Sequence, residues 1–91
     1  MKYQVNRTAQ FKREYRLALR RGQNIAELDD IIVRLAKEET LPEKNRDHSL
    51  SGPFRGYREC HISPDWLLIY RIHENRLILV LSRTGSHSDL F

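Results

Sequence analysis

The chain predicts an α+β fold of order β-α-α-β-β-β, with a helical hairpin packed on one face of a small, mostly antiparallel sheet. Three observations predict it. Apolar residues recur at the helical period between Ala9 and Thr40. They alternate with a period of two on either side of that stretch. Leu77 to Leu81 is apolar on both parities, which puts one strand inside a sheet rather than at its edge. With 91 residues there is room for one domain, residues 1–91, and one modest core.

The first strand is short. Tyr3 and Val5 alternate with Lys2, Gln4 and Asn6, and Thr8 follows as a helix cap. From Ala9 to Arg21, Phe11, Tyr15, Ala18 and Leu19 share one helical face, while Lys12, Arg13, Arg16 and Arg20 share the opposite one. The basic face suits nucleic acid, an acidic partner segment or water equally well. Gly22 is placed to end this helix as its C′ residue, and Asn24 with Glu27 three positions later has the form of a capping box for the next. Ile25, Leu28, Ile32, Leu35 and Ala36 make the second stripe, widened by Ile31. That helix is expected to stop near Glu39 or Thr40, ahead of Pro42.

Leu41 to Pro53 is the longest irregular segment, with Leu50 expected to pin it and so hold His48 in a defined place. Beyond it Arg55, Tyr57, Glu59 and His61 point one way, and Phe54, Gly56, Cys60 and Ile62 the other, with Arg58 a misfit on the apolar parity. Cys60 is therefore expected in the core and His61 on the exposed side. Ser63-Pro64-Asp65 supplies a turn into the strand Trp66–Ile72, and His73-Glu74-Asn75-Arg76 a second turn into the last strand.

Composition narrows the chemistry. A net charge of +4, with Arg outnumbering Lys 12 to 4, favours a polyanionic partner, because guanidinium forks bind phosphate oxygens in pairs. The single Cys60 excludes an internal disulfide, no apolar run reaches the roughly 20 residues of a membrane span, and the first residues lack a signal-peptide core. A cytoplasmic location with no membrane partner is expected.

The last third then gathers His61, Asp65, Trp66, Arg83, His87 and Phe91, with His48 joining from the loop. These residue types serve metal-free RNA cleavage: imidazoles that move protons near neutral pH, a cation for the phosphate and aromatics for a base. No cofactor is called for. A zinc site from Cys60, His48, His61 and His87 lacks short-spaced ligand pairs, and strand alternation sets Cys60 and His61 on opposite faces. The competing reading is a non-enzymatic basic binder that docks on a DNA enzyme or RNA. Acid-base residues gathered on one hairpin argue against it.

Asp47-His48-Ser49-Leu50-Ser51-Gly52, Gly56-Tyr57-Arg58, His61-Ile62-Ser63-Pro64-Asp65-Trp66-Leu67-Leu68-Ile69-Tyr70 and Arg83-Thr84-Gly85-Ser86-His87, in that order, closely resemble the YafQ branch of the RelE superfamily of bacterial toxins. The specific match covers the second half of the chain. It implies a RelE-like domain and an mRNA interferase that enters the ribosomal A site and cuts translated mRNA without a metal. It also implies a cognate antitoxin that wraps and blocks the toxin. Carried over by position, the catalytic set falls on His48, His61, Asp65, Arg83 and His87, with Trp66 and Phe91 for substrate binding. Arg13, Arg16 and Arg20 are the candidate contacts to 16S rRNA or to an acidic segment of a DNA-binding antitoxin.

Overall fold

The structure, a computed structural model, describes residues 3–91; Lys2 of the first strand pattern lies outside the described residues. The elements run β1 (Gln4–Arg7), α1 (Ala9–Arg20), α2 (Ile25–Ala36), β2 (His48–Ser49), β3 (Arg58–Ser63), β4 (Trp66–His73), β5 (Ile78–Gly85) and α3 (His87–Leu90). The β-α-α-β-β-β plan is present, with the two-residue β2 and the short α3 added to it. The sheet has five strands in the order β1-β5-β4-β3-β2. β1 runs parallel to β5 and every other pair is antiparallel.

Local chemistry explains the helix ends. Thr8 accepts the Phe11 N–H at 3.0 Å, as an N-cap should. Gly22 sits at φ 78°, and Gln23 N–H donates to Ala18 O and Gly22 N–H to Leu19 O, closing a Schellman turn. Asn24 caps nothing: its side-chain amide donates to Glu27 Oε1 at 3.2 Å, so the expected capping box is replaced by a side-chain pair. α2 stops at Ala36, three residues early, because Glu38 turns the chain at φ 63°. Leu19, assigned to the inner face of α1, is 52% exposed, while Phe11 and Ala18 are buried as expected.

The two faces of the sheet are covered unequally. Phe11, Ala18, Leu28, Ile31, Ile32 and Leu35 of the helices meet Cys60, Ile62, Leu68, Tyr70, Leu79 and Leu81 on one face. On the other, Leu67, Ile69 and Leu90 form a smaller cluster with Leu50, Phe54 and Tyr57. Leu50 pins the loop as predicted, its N–H also donating to Tyr57 O at 2.9 Å. β5 is paired on both sides, yet only Leu79 and Leu81 of its apolar run are fully buried; Leu77 is 39% exposed. Among the described residues no helix is long and apolar enough to cross a membrane.

Candidate active site

β2 and β3 set the first part of the site. His48 lies directly opposite Glu59 in the antiparallel register, so their side chains share a face, and His61 shares it two residues further along β3. Glu59 is 4% exposed, and its Oε1 lies 3.5 Å from His48 Nε2 and 3.9 Å from His61 Nε2. His48 Nδ1 is 2.6 Å from Arg46 O. A carbonyl oxygen only accepts, so Nδ1 carries a hydrogen, and a second proton on Nε2 would complete an ion pair with Glu59. The alternation rule put Glu59 on the exposed parity with His61; the parity holds and the exposure does not, because the segment 50–57 and α3 cover part of this face.

α3 brings the second part. Its N-cap Ser86 accepts the Asp89 N–H, and Asp89 accepts the Ser86 N–H in return, a complete capping box. Arg21 at the end of α1 pairs with Asp89 at 3.0 Å and ties the helix down. His87 is thereby held exposed, its ring centroid 6.0 Å from that of His61 and 5.8 Å from that of Phe91. Phe91, 57% exposed, rests edge-on against Phe54 at 5.2 Å.

Backbone Ser86, then Arg21, hold the Asp89 carboxyl below its ordinary value of 3.8. Since the folded value is the lower one, this anchorage is complete above about pH 3.9 and is lost as pH falls through the lowered folded value. NMR signals of His87 and Phe91 are expected to broaden on acidification before those of the buried β4, and Asp89→Asn to show the same fraying at neutral pH. Simultaneous loss of both regions would place the acid-sensitive step elsewhere.

Arg83 is placed by a bulge. Ile69 faces Arg83 but Tyr70 faces Leu81, so Ser82 is the extra residue and Arg83 takes the parity of Ile69 instead of the helix-facing parity of Leu81. Glu14 of α1 meets its guanidinium: Nη2 donates at 2.6 Å and Nε at 3.1 and 3.2 Å to the carboxylate oxygens. Glu14 also accepts the Thr84 N–H at 3.1 Å, beside the part of β5 that lies past the end of β1. These bonds outweigh burial and hold Arg83 still more firmly protonated. Its Nη1 group makes no hydrogen bond among the described residues.

The other two candidates stand apart. Asp65, exposed in the turn between β3 and β4, makes no hydrogen bond or ion pair among the described residues, and lines a groove with Arg13, Glu14 and Trp66 rather than with the histidines. Trp66 is 2% exposed within the core under the helices, its Nε1 without a hydrogen-bond partner, so its ring is not presented as a stacking platform. Cys60 is wholly buried on the helix side, its thiol pushed up by burial, on the other face from His61. Arg13, Arg16 and Arg20 are all exposed on α1. The structure therefore sets His48 and His61 beside a carboxylate, Glu59, that the sequence reading passed over, and continues the group from His61 to His87 and from His87 to Phe91. The position of Glu59 two residues before His61, on the same parity, was the available signal.

A small mixed sheet backed by a helical hairpin carries the imidazoles and a carboxylate on its other face, and comparison with known proteins places a chain of this build among the toxins of bacterial type II toxin-antitoxin systems. The model described as "Bacterial toxin of type II toxin-antitoxin system, YafQ" matches residues 3–91, and the chain belongs to that family. It is 33% identical over 88 residues, 96% of this chain and 94% of the relative, to the mRNA interferase toxin YafQ of Escherichia coli K12. The fold superposes at TM-score 0.90 on the toxin of the E. coli DinJ-YafQ toxin-antitoxin complex, with 32% identity over 100% of this chain and 99% of that one. It superposes at 0.92 on a metal-bound toxin from Helicobacter pylori, with 35% identity over 98% and 99%.

Proposed function

We propose that this chain is a ribosome-dependent endoribonuclease that cleaves translated mRNA in the A site and is neutralised by a cognate antitoxin. The observation that carries the reading is the buried Glu59 carboxylate between His48 and His61, with exposed His87 beside them. The activity named for the E. coli relative and the antitoxin bound to YafQ in the E. coli complex support it.

The chemistry follows from the groups present. The 2′-oxygen of the substrate attacks its own 3′-phosphorus and gives up a proton, the P–O5′ bond breaks, and the departing oxygen takes a proton. The products are a 2′,3′-cyclic phosphate and a 5′-hydroxyl, with no water nucleophile and hence no metal-made hydroxide required. Two proton-handling positions are needed, and the site offers them as His87 on one side and the Glu59-backed His48 and His61 on the other. Arg83 supplies charge for the phosphoryl oxygens and Phe91 on its Phe54 support a ring for a base, while exposed Asp65 lies apart in the β3–β4 turn and buried Trp66 serves the core beneath the site. Exposed Arg13, Arg16 and Arg20 suit 16S rRNA phosphates or the acidic segment of a DNA-binding antitoxin.

An open site on a small protein aligns free RNA poorly, so the ribosome holds the nucleotides in place for attack. Purified protein is expected to cut mRNA on programmed ribosomes rapidly, to cut naked mRNA poorly, and to keep its activity in EDTA. Products with cyclic-phosphate ends are the diagnostic readout. Rapid cleavage of free RNA would remove ribosome dependence, loss of activity in EDTA would make a metal part of the site, and absence of cleavage with intact growth arrest would favour the docking reading.

A further inference from the structure

His48 belongs to a segment with little regular structure, yet its neighbour is held from the far side of the sheet. Asp47 accepts hydrogen bonds from the Tyr70 hydroxyl and, at 3.3 Å, from Arg58 Nε, which also donates to the Tyr70 oxygen at 3.3 Å. Arg58 and Tyr70 are direct partners across β3 and β4, and Tyr70, 1% exposed, lies in the core beneath the helices. Burial, then the bond to Asp47, pushes the Tyr70 hydroxyl up, so it remains a donor throughout the physiological range. This explains Arg58, the charged misfit on the apolar parity: it completes a polar cluster at the rim of that core.

We propose that Asp47, Tyr70 and Arg58 are positioning residues for His48: an anchor on the helix side of the sheet sets an imidazole on the other side. Asp47 immediately precedes β2, so fixing it against Tyr70 sets how the chain enters the strand that places His48 opposite Glu59. The backbone before it is equally constrained. Arg46 is held at φ 47°, which puts its carbonyl oxygen 2.6 Å from His48 Nδ1, and buried Asn45 donates to His61 O at 2.7 Å. With the anchor cut, the two-residue β2 keeps its edge pairing to β3 and the contacts at Asn45, Arg46 and Leu50, but loses the side-chain tie from the residue next to His48 into the helix-side core. Asp47 and Tyr70 thus act on the reaction without touching substrate. The inference rests on the reading of His48 as a proton-handling group.

The test is a set of mutant cycles measured by single-turnover cleavage of mRNA on programmed ribosomes, well below each variant's melting temperature. Tyr70→Phe deletes one hydroxyl and keeps the buried ring; Asp47→Asn keeps the shape, and serves should Tyr70→Phe fold poorly. Each is expected to lower the rate about tenfold or more, as sub-ångström misplacement does, while the half-saturating toxin concentration stays within about twofold. In a His48→Ala background, followed long enough to score residual cleavage, neither is expected to lower the rate further, because the group they position is gone. Imidazole NMR is expected to show the Nδ1-protonated His48 ring of the parent giving way to an averaged signal in Tyr70→Phe. An equal fall in both backgrounds, or no fall in the parent, overturns the inference and leaves the reading of His48 intact. A His48→Ala protein that cleaves at the parent rate overturns that reading, and the inference with it.

Discussion

His87→Ala is expected to lower mRNA cleavage by about 10² to 10⁴ fold while leaving the fold and ribosome binding nearly unchanged. The magnitude is that of one positioned proton-transfer group, and corresponds to roughly 3 to 5 kcal/mol of transition-state stabilisation. The selectivity follows from where the ring sits. His87 is exposed at the start of α3, and its ring contacts are with His61 and Phe91, at centroid separations of 6.0 and 5.8 Å. The capping box of α3 uses Ser86 and Asp89 and does not involve His87. Truncation of such a side chain changes stability by about 0.5 kcal/mol or less. In the proposed function ribosome binding rests on the exposed arginines of α1, so one imidazole has a small share in it. Circular dichroism and ribosome co-sedimentation check the first two statements and single-turnover cleavage the third. A variant that still arrests growth by cutting mRNA would remove His87 from the chemistry.

The sequence was most legible where one residue type has one local meaning. Gly22 at a helix end, Thr8 before an apolar stripe and the pure period of Ile25 to Ala36 depend only on backbone chemistry and on a continuous core, and all three are found where expected. It was least legible where tertiary contacts override pattern. Leu19 fits the stripe of α1 but lies beyond what the sheet covers, and is exposed. Glu59 reads as a solvent-facing charge, yet the segment 50–57 and α3 close over its face and leave it between two histidines. Arg83 is harder still, because a one-residue bulge at Ser82 reverses its face and its partner lies 69 positions away. Periodicity carries no information about either.

Arg83→Ala is expected to lose both activity and stability, and a second substitution separates the two. In the role proposed for Arg83, removing a preorganised cation that faces developing phosphoryl charge typically costs a factor of about 10² to 10³ in rate. It also strands Glu14, whose side chain is 12% exposed and would keep only the Thr84 N–H of the bonds it now makes to β5. Glu14 also keeps the Gln10 Nε2 amide at 3.4 Å, so the loss of its guanidinium bonds is bounded by the cost of an unsatisfied polar group, about 1 to 3 kcal/mol. The lower end applies, because Arg83 is 30% exposed and solvent already screens the pair. For a domain of this size that is a fall of several degrees in Tm, about 4 to 8 °C for each kcal/mol. Glu14→Gln in the same chain retains an oxygen for Thr84 and abolishes the stranded charge. The Glu14→Gln, Arg83→Ala double variant is therefore expected to recover most of the lost Tm and none of the lost cleavage. If the double variant is as unstable as Arg83→Ala alone, the loss comes from the missing side-chain packing and not from the carboxylate. If cleavage returns together with stability, Arg83 serves only to neutralise Glu14, and the positive charge facing the phosphate has to come from elsewhere on the site's rim.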